Sequence, residues 1–503
     1  MEGLYTAAGV RELDRIAIEE AGIPGYTLMR RAGAAVHRLV AARLPPGAPL
    51  LVLCGLGNNA GDGYVVARLA RQAGRPVTVL TPADPQRLRG DARRAFEDAA
   101  AAGIVPVRYR EGDALPPAGG VVDALLGTGL ERPVTGAWRT LVEGVNALPV
   151  PRIAVDVPSG LDADRGTVLG IAFRAEATVT FIGRKLGLYT AQAADHTGRV
   201  HFDALGVPEA VRRRVTPVAW RMTAQEAAEL LAPRPRTLHK GHAGHVLVIG
   251  GQPGMSGAAR LAGEAAARVG AGLVSLAVHP AQAACAGAGR PELMVHAAAD
   301  GALPEGLARR ATVLAVGPGL GESDWARRLW DRVLSLPQPK VVDADALRLL
   351  AEAPRRREDW ILTPHPGEAA RLLGATAAEV QADRPAAVRA LQARYGGVVV
   401  LKGPGTLVHD GHRLLLSDTG NPGMASGGMG DVLTGVIAGL LAQGIPPLEA
   451  AALGAWVHGA AADRAAQRRG ERGLLAQDLM GPLQRLVNPG SVDTHTPASG
   501  GCE

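Results

Sequence analysis

Short apolar runs, nearly all closed by a glycine or an acid, recur along the whole chain and narrow its fold more than any other feature. In the first half, Leu50-Leu51-Val52-Leu53-Cys54, Pro76–Leu80, Ile104–Val107, Gly120–Leu125 and Arg152–Val157 read as strands. Helical spacing falls between them at Tyr64–Ala73, Asp91–Ala102 and Ala137–Ala147, and earlier over Val10–Arg43 with a break near Gly22-Ile23-Pro24-Gly25. Strands apolar on both faces and alternating with helices belong to a parallel sheet covered on both sides, the doubly wound α/β class. The alternation starts again at His245–Ile249. It continues through a helix at Ser256–Val269 and strands at Leu273–Val278, Val313–Val316, Lys340–Val342, Ile361–Thr363 and Val398–Leu401.

Two such series in 503 residues are too much chain for one core. The stretch Gly206–Met222, rich in Pro, Arg and Val and without a period, marks the join. Thr223 then offers an N-cap hydroxyl with Glu226 three residues on. The expected domains are 1–211 and 223–490 with a linker at 212–222, and the polar tail 491–503 is expected to be disordered. Aromatic residues are only 3% of the chain, which argues against a base-stacking nucleic-acid surface. A net charge of +6 without a dense basic stripe suits a small anionic ligand better than DNA. Cys54, Cys285 and Cys502 lie too far apart to suggest a disulfide framework or a zinc site. No apolar segment is long enough to span a bilayer and no signal-like run follows Met1, so a cytoplasmic protein without a membrane partner is expected.

The chemistry is expected at the strand ends, because ligands in open parallel sheets sit outside the carboxyl ends of the strands. Gly55-Leu56-Gly57-Asn58-Asn59-Ala60-Gly61-Asp62-Gly63 follows the first strand as a glycine turn, while Asp123, Asp156 and Ser159 close two others. Each acid alone is more often a cap or a turn residue. Several hard oxygens on one rim favour a cation site or an acid/base site. Late in the chain Asn421-Pro-Gly-Met-Ala-Ser-Gly-Gly-Met-Gly-Asp431 runs into the apolar segment Val432–Leu441. A glycine-rich turn opening a buried helix leaves amides free for phosphate, and Asp431 stands where it can take a proton from an attacking hydroxyl. His239, His242 and His245 lack an accompanying carboxylate at ligand spacing, so they read as a ligand-contacting loop and not a metal site.

From about Leu4 to Val207, the strings Arg11-Glu12-Leu13-Asp14, Leu28-Met29 to Ala32-Gly33, Asn58–Gly63, Asp123–Gly129, Asp156–Gly160 and Lys185-Leu186-Gly187-Leu188 resemble the epimerase domain of the NAD(P)H-hydrate repair enzymes. The resemblance implies a Rossmann-like three-layer αβα domain. It further implies that the hydrated dinucleotide is held by Asn58, Asn59, Ala60, Gly61 and Asp62, by Gly127, Thr128, Gly129, Leu130, Glu131, Arg132 and Pro133, and by the catalytic acid Asp156. K⁺ would lie on Asn59, Asp123 and Ser159. Ala60 departs from the glycine usual there. From about Thr223 to Leu486, the Gly317 loop, Asp343–Leu347, Thr363–Glu368, Lys402–Thr406 and Gly423–Asp431 occur in the order of the dehydratase half of the same enzymes, a ribokinase-like αβα domain. By position, Ala258, Gly319, His365 and the catalytic Asp431 would touch the hydrated nucleotide. ADP or ATP would lie on Lys402, Gly403, Pro404, Gly405 and Thr406 and on Asn421, Gly427, Gly428, Met429 and Gly430, with Mg²⁺ on its phosphates. Ser426 replaces a frequent threonine and keeps the hydroxyl.

The implied activity is bifunctional. The first domain interconverts the R and S hydrates of NADH and NADPH. The second dehydrates the S hydrate with ADP or ATP, releasing phosphate and, from ADP, AMP. The fused arrangement favours ADP, and the family's habit of assembly implies a homo-oligomer. The residues alone leave two alternatives open, a small-molecule kinase that keeps the phosphate on its product and a non-catalytic first half.

Overall fold

The computed structural model describes residues 1–304 and 306–489, so the expected tail at 491–503 lies outside the described residues. These residues form two compact units, one of 3–220 and one of 1–2 with 221 onward.

The first unit is built around a seven-stranded sheet: β1 (Leu50–Cys54), β2 (Val77–Thr81), β3 (Val107–Arg108), β4 (Gly120–Ala124), β5 (Arg152–Val155), β6 (Ala177–Phe181) and β7 (Arg199–Asp203). They lie in the order β3-β2-β1-β4-β5-β6-β7, all parallel. The order reverses between β1 and β4, whose pairing runs from Leu50↔Gly120 to Cys54↔Ala124. Helices α1 (Ala7–Arg15), α2 (Gly25–Arg43), α3 (Asn58–Gln72), α4 (Gly90–Ala101) and α5 (Gly136–Asn146) accompany the sheet. The break expected at 22–25 separates α2 from a π-helical turn at Ile16–Glu20.

Two expectations need correcting. Asn58–Gly63 is not a turn before a helix but the opening of α3 itself. Its glycines are there for contact: a Cβ on Gly61 would meet Met29 Sδ at 2.6 Å, and one on Gly63 would meet Ala124 Cβ at 2.6 Å. The strand expected over 104–107 is reduced to the β3 edge, where only Val107 and Arg108 pair and Val105 is 81% exposed. A short edge strand offers little unpaired backbone to other chains.

The second unit contributes β8 (His245–Ile249), β9 (Leu273–Val278), β10 (Met294–Ala297), β11 (Val313–Val316), β12 (Lys340–Val342), β13 (Trp360–Leu362) and β14 (Val398–Leu401), extended by β15 (Thr406–His409) and β16 (Leu414–Ser417). Their order is β10-β9-β8-β11-β12-β13-β14-β15-β16, parallel as far as β14 and antiparallel beyond it. Again the order reverses at the first strand, between β8 and β11. Helices α6 (Ser256–Arg268), α7 (Pro366–Leu373), α8 (Met429–Ala442) and α9 (Pro447–Arg469) flank this sheet. α8 is buried on almost every side and lies close against α6. A Cβ on Gly435 would stand 2.0 Å from Ala262 O, and one on Gly439 would stand 2.7 Å from Ala266 O.

Gly435→Val is therefore expected to lower stability by about 1–3 kcal/mol or more through overpacking. Gly481→Ala, a helical position whose added methyl meets nothing within 4 Å, should be neutral or stabilising. Denaturant unfolding of the two variants checks the contrast.

Candidate functional site

In the first unit the strand reversal opens a cavity of about 920 Å³ above the carboxyl ends of β1 and β4. α3 begins there, with Gly57 as its N-cap. Gly57 O accepts the amides of Ala60 and Gly61 at 3.0 and 3.4 Å, which leaves Asn58 and Asn59 to present the open first turn. The cavity is lined by Asn58, Asn59, Asp62, Leu125, Leu126, Gly127, Thr128, Gly129, Leu130, Glu131, Arg132 and Asp156, joined by Arg11, Asp14 and Lys185. Of the expected substrate contacts, Ala60 and Gly61 sit buried behind this wall, and Pro133 follows the lining stretch without joining it.

Of the three residues expected to hold a cation, Asn59 lines the cavity, while Asp123 and Ser159 lie behind its lining in contact with each other. Asp123 is fully buried and accepts from Ser159 Oγ at 2.6 Å, Ser159 N at 2.7 Å and Leu125 N at 3.2 Å. Burial pushes its carboxyl up to about 6 against the pull of the Ser159 hydrogen bonds. Asn59 donates from Nδ2 to Leu126 O at 3.0 Å, while its Oδ1 is buried without a hydrogen-bond partner among the described residues.

Asp156 is held in the left-handed region at φ 63°, an uncommon conformation for a non-glycine residue. Its Oδ1 accepts from Thr180 Oγ1 at 3.1 Å, from Phe181 N at 3.3 Å and from Lys185 Nζ. Lys185 is buried, and its other contacts are Thr180 Oγ1 at 3.1 Å and Phe181 O at 3.2 Å. Asp62 and Asp14 line the same cavity without any cation partner among the described residues. Burial, then the charges of Asp156 and Asp14, hold the Asp62 carboxyl well above the usual range; burial lifts Asp14 to about 6. The roles of Asp14 and Lys185 are not legible as chemistry in the sequence, although both lie in the family-like strings.

In the second unit Asp431 lies in the first turn of α8, behind an N-cap, Gly428, at φ 89°. That left-handed geometry suits glycine. The first backbone bond of the helix is Val432 N to Gly428 O, so the amides of Met429, Gly430 and Asp431 open toward the same point. Burial raises the Asp431 carboxyl to about 7, Asp343 adding to the rise and Lys402 opposing it. Lys402 Nζ donates to Asp343 Oδ1 at 2.8 Å and lies 3.6 Å from Glu368; Thr434 Oγ1 donates to Asp343 Oδ2 at 2.8 Å. Burial alone would lower Lys402, but Asp343 and Glu368 outweigh it and hold the ammonium above its ordinary value.

The remaining expected contacts surround this cluster. His365 caps α7 and accepts Gly367 N at 3.0 Å on Nδ1, while Glu368 reaches back to His365 N at 2.7 Å. Gly319 and Ala258 are neighbours: a Cβ on Gly319 would lie 3.2 Å from Ala258 Cβ. The Lys402–Thr406 loop is tied from beneath by buried Arg384, which donates to the carbonyls of Leu401 (3.2 Å), Lys402 (3.2 Å) and Gly405 (3.3 Å). Asn421 uses its side chain to accept Gly423 N and to bond Asp463, so it shapes the loop that leads to Gly427. The histidine string does not converge. His245 is buried against Ser275 Oγ at 2.8 Å, while His239 and His242 stack on each other with ring centroids 3.6 Å apart.

Comparison with known proteins covers both units. Residues 25–187 match the family described as YjeF-related protein N-terminus, and residues 246–485 match NAD(P)H-hydrate dehydratase. The bifunctional NAD(P)H-hydrate repair enzyme Nnr of Coxiella burnetii is 49% identical over 97% of this chain and 100% of its own length. Its counterpart from Escherichia coli is 44% identical over 97% of this chain and 95% of its own. A ribokinase-like superfamily protein from Enterococcus faecalis is 28% identical, covers 54% of this chain and 95% of its own, and superposes with a TM-score of 0.50.

The raised Asp431 carboxyl has a consequence for stability. Its folded value, about 7, exceeds the ordinary 3.8, so its favourable contribution is complete below about 4 and is lost as pH rises through 7. Asp431→Asn should thus match the parent near pH 4 and exceed it by roughly 2–4 kcal/mol at pH 8. Denaturant titrations at the two pH values measure the difference.

Proposed function

The chain belongs to the bifunctional NAD(P)H-hydrate repair enzymes, and from that premise we propose how its two units restore reduced dinucleotides that have taken up water. Residues 1–211 act as the epimerase, 212–222 as a linker and 223–490 as the dehydratase. The observation that carries the reading is Asp431, a carboxyl poised near neutrality beside the open amides of α8 and the Lys402–Asp343 pair.

In the dehydratase unit, the S hydrate lies against Ala258, Gly319 and His365 with its ring hydroxyl at Asp431. ADP or ATP, entering with Mg²⁺, lies on the Lys402–Thr406 loop and the stretch from Asn421 to Gly430. Mg²⁺ needs few protein ligands when phosphates supply the rest. Ionised Asp431 takes the hydroxyl proton as the oxygen attacks the terminal phosphoryl group, and the amides of Met429 and Gly430 receive the charge spreading over it. The C–O bond to the phosphorylated oxygen then breaks with its electron pair leaving on inorganic phosphate, pushed by the ring nitrogen lone pair. The neighbouring ring carbon loses a proton to solvent so that the ring double bond returns, with AMP as the other product when ADP is used.

In the epimerase unit, both hydrates enter the cavity, and Asp156 takes part in the proton exchange that inverts them. Asn59, Asp123 and Ser159 fit K⁺, since Asn59 Oδ1 is buried with no donor among the described residues, Asn59 and Ser159 share Leu126 O, and Ser159 bonds the buried Asp123 carboxyl. A bound K⁺ would supply a fixed positive charge beside the phosphate-binding turn. The functional form is a homo-oligomer in the cytoplasm, a state that light scattering reads.

Asp431→Ala is expected to cut dehydration of the S hydrate about 10²–10⁴-fold. The assay follows the absorbance of reduced nicotinamide together with free phosphate. Wild-type accumulation of a stable phosphorylated product would instead make this unit an ordinary kinase. Asp156→Asn, which keeps the left-handed backbone accessible, should leave the R hydrate to decay at its spontaneous rate. Replacing K⁺ by Na⁺ should slow that same phase in the parent and leave the S phase unchanged. Loss of both hydrates at the parent rate in the variant, or indifference to K⁺, refutes the corresponding role.

A further inference from the structure

Three carboxyls and one ammonium face the cavity of the first unit: Asp14, Asp62, Asp156 and Lys185. An ammonium has three protons to give, and Lys185 spends its three contacts on Asp156, Thr180 and Phe181 O. Asp156 therefore has its countercharge and two further donors. Asp62 has neither. It is only 9% exposed, it projects from the first turns of α3 into the cavity, and it makes no hydrogen bond or ion pair among the described residues. A carboxyl buried in that state survives by keeping its proton. The other charged groups around the cavity are Arg11, Asp91, Glu131 and Arg132 toward its rim, and Asp14, which repels a negative Asp62. Two carboxyls on different elements, one ion-paired and one not, divide the labour of acid and base.

We propose that Asp62 is the general acid of epimerisation, giving its proton to the departing ring hydroxyl while Asp156 serves as the base. The assignment rests on the epimerase reading of this unit and goes beyond substrate contact. Water adds to an enamine double bond with its oxygen on the carbon next to the ring nitrogen, so inversion there requires a bond to that carbon to break. Asp62 protonates the hydroxyl. The C–O bond breaks with its electron pair leaving on water, and the nitrogen lone pair closes to an iminium. A water molecule then adds to the other face of the carbon, the C=N pair returns to nitrogen, and Asp156 takes the surplus proton. Exchange with solvent returns a proton to Asp62 and removes one from Asp156. The anionic Asp156 also offsets the positive charge of the iminium.

The experiment uses the full-length protein, the purified R hydrate of NADH and no ADP or ATP, with epimers resolved by chromatography. Asp62→Asn should lower kcat for inversion about 10²–10⁴-fold and change KM less than about threefold. In H₂¹⁸O, the parent should place one ¹⁸O in the hydrate per inversion, a readout that does not depend on the variant folding. Inversion by a folded Asp62→Asn protein within tenfold of the parent overturns the assignment, and so does inversion without oxygen exchange. A parent protein that does not accelerate inversion over buffer overturns the epimerase reading itself, and the role of Asp62 with it.

Discussion

A parallel strand delivers the chain to the same edge of the sheet every time, and a helix must then carry it back. The backbone at that edge is thus always passing from strand to helix, where amides lack partners. Both units gather their polar residues under this constraint. Asn58 and Asn59 open α3 above the β1–β4 reversal, and Met429 and Gly430 open α8 beside the ends of β11 and β12. Anion binding is therefore a property of the architecture before any side chain is chosen. The side chains decide what happens to the anion once it is there.

The choice in both units is to bury a lysine–aspartate pair next to a carboxyl that makes no hydrogen bond or ion pair among the described residues. Lys185–Asp156 stands beside Asp62, and Lys402–Asp343 stands beside Asp431. Breaking a buried pair strands a charge, so neither partner of a pair is free to be replaced alone. The lone carboxyl feels the negative partner and the loss of water, which moves its titration toward neutrality. Each lone carboxyl is lowered by its lysine and raised by two acids, and the outcome differs because Asp62 is the more deeply buried: Asp431 stays near 7, while Asp62 is held well above its ordinary range.

Much of this is legible in the chain. Strand runs such as Leu50–Cys54 and His245–Ile249 are apolar on both faces, and burial of every residue in them bears out the reading. Strand-end logic alone puts Asp123, Asp156 and Ser159 on one rim, and the structure brings Asp123 and Ser159 into direct contact. What escapes the sequence does so for physical reasons. α9 is rich in alanine and glycine and buried on most sides, so it carries no amphipathic period to find. The β15–β16 hairpin follows a glycine-rich loop that reads as ligand-binding. Glycines 61 and 63 look like turn formers because sequence cannot separate a glycine needed for its backbone from one needed for its missing side chain. Lys185, Lys402 and Arg384 act through partners 29, 59 and 17 to 21 residues away in the chain, and only the fold joins them.

The contact of Gly435 and Gly439 with the α6 backbone leaves no space for α8 to slide or turn. Its first turn is thus an immovable anvil, and any adjustment to a bulkier guest falls on the surface loops around it. Efforts to retrain this scaffold for another phosphorylated alcohol belong in those loops and in the residues near Met255 and His365. A substitution inside the helix would remodel the foundation while leaving the shape of the room unchanged.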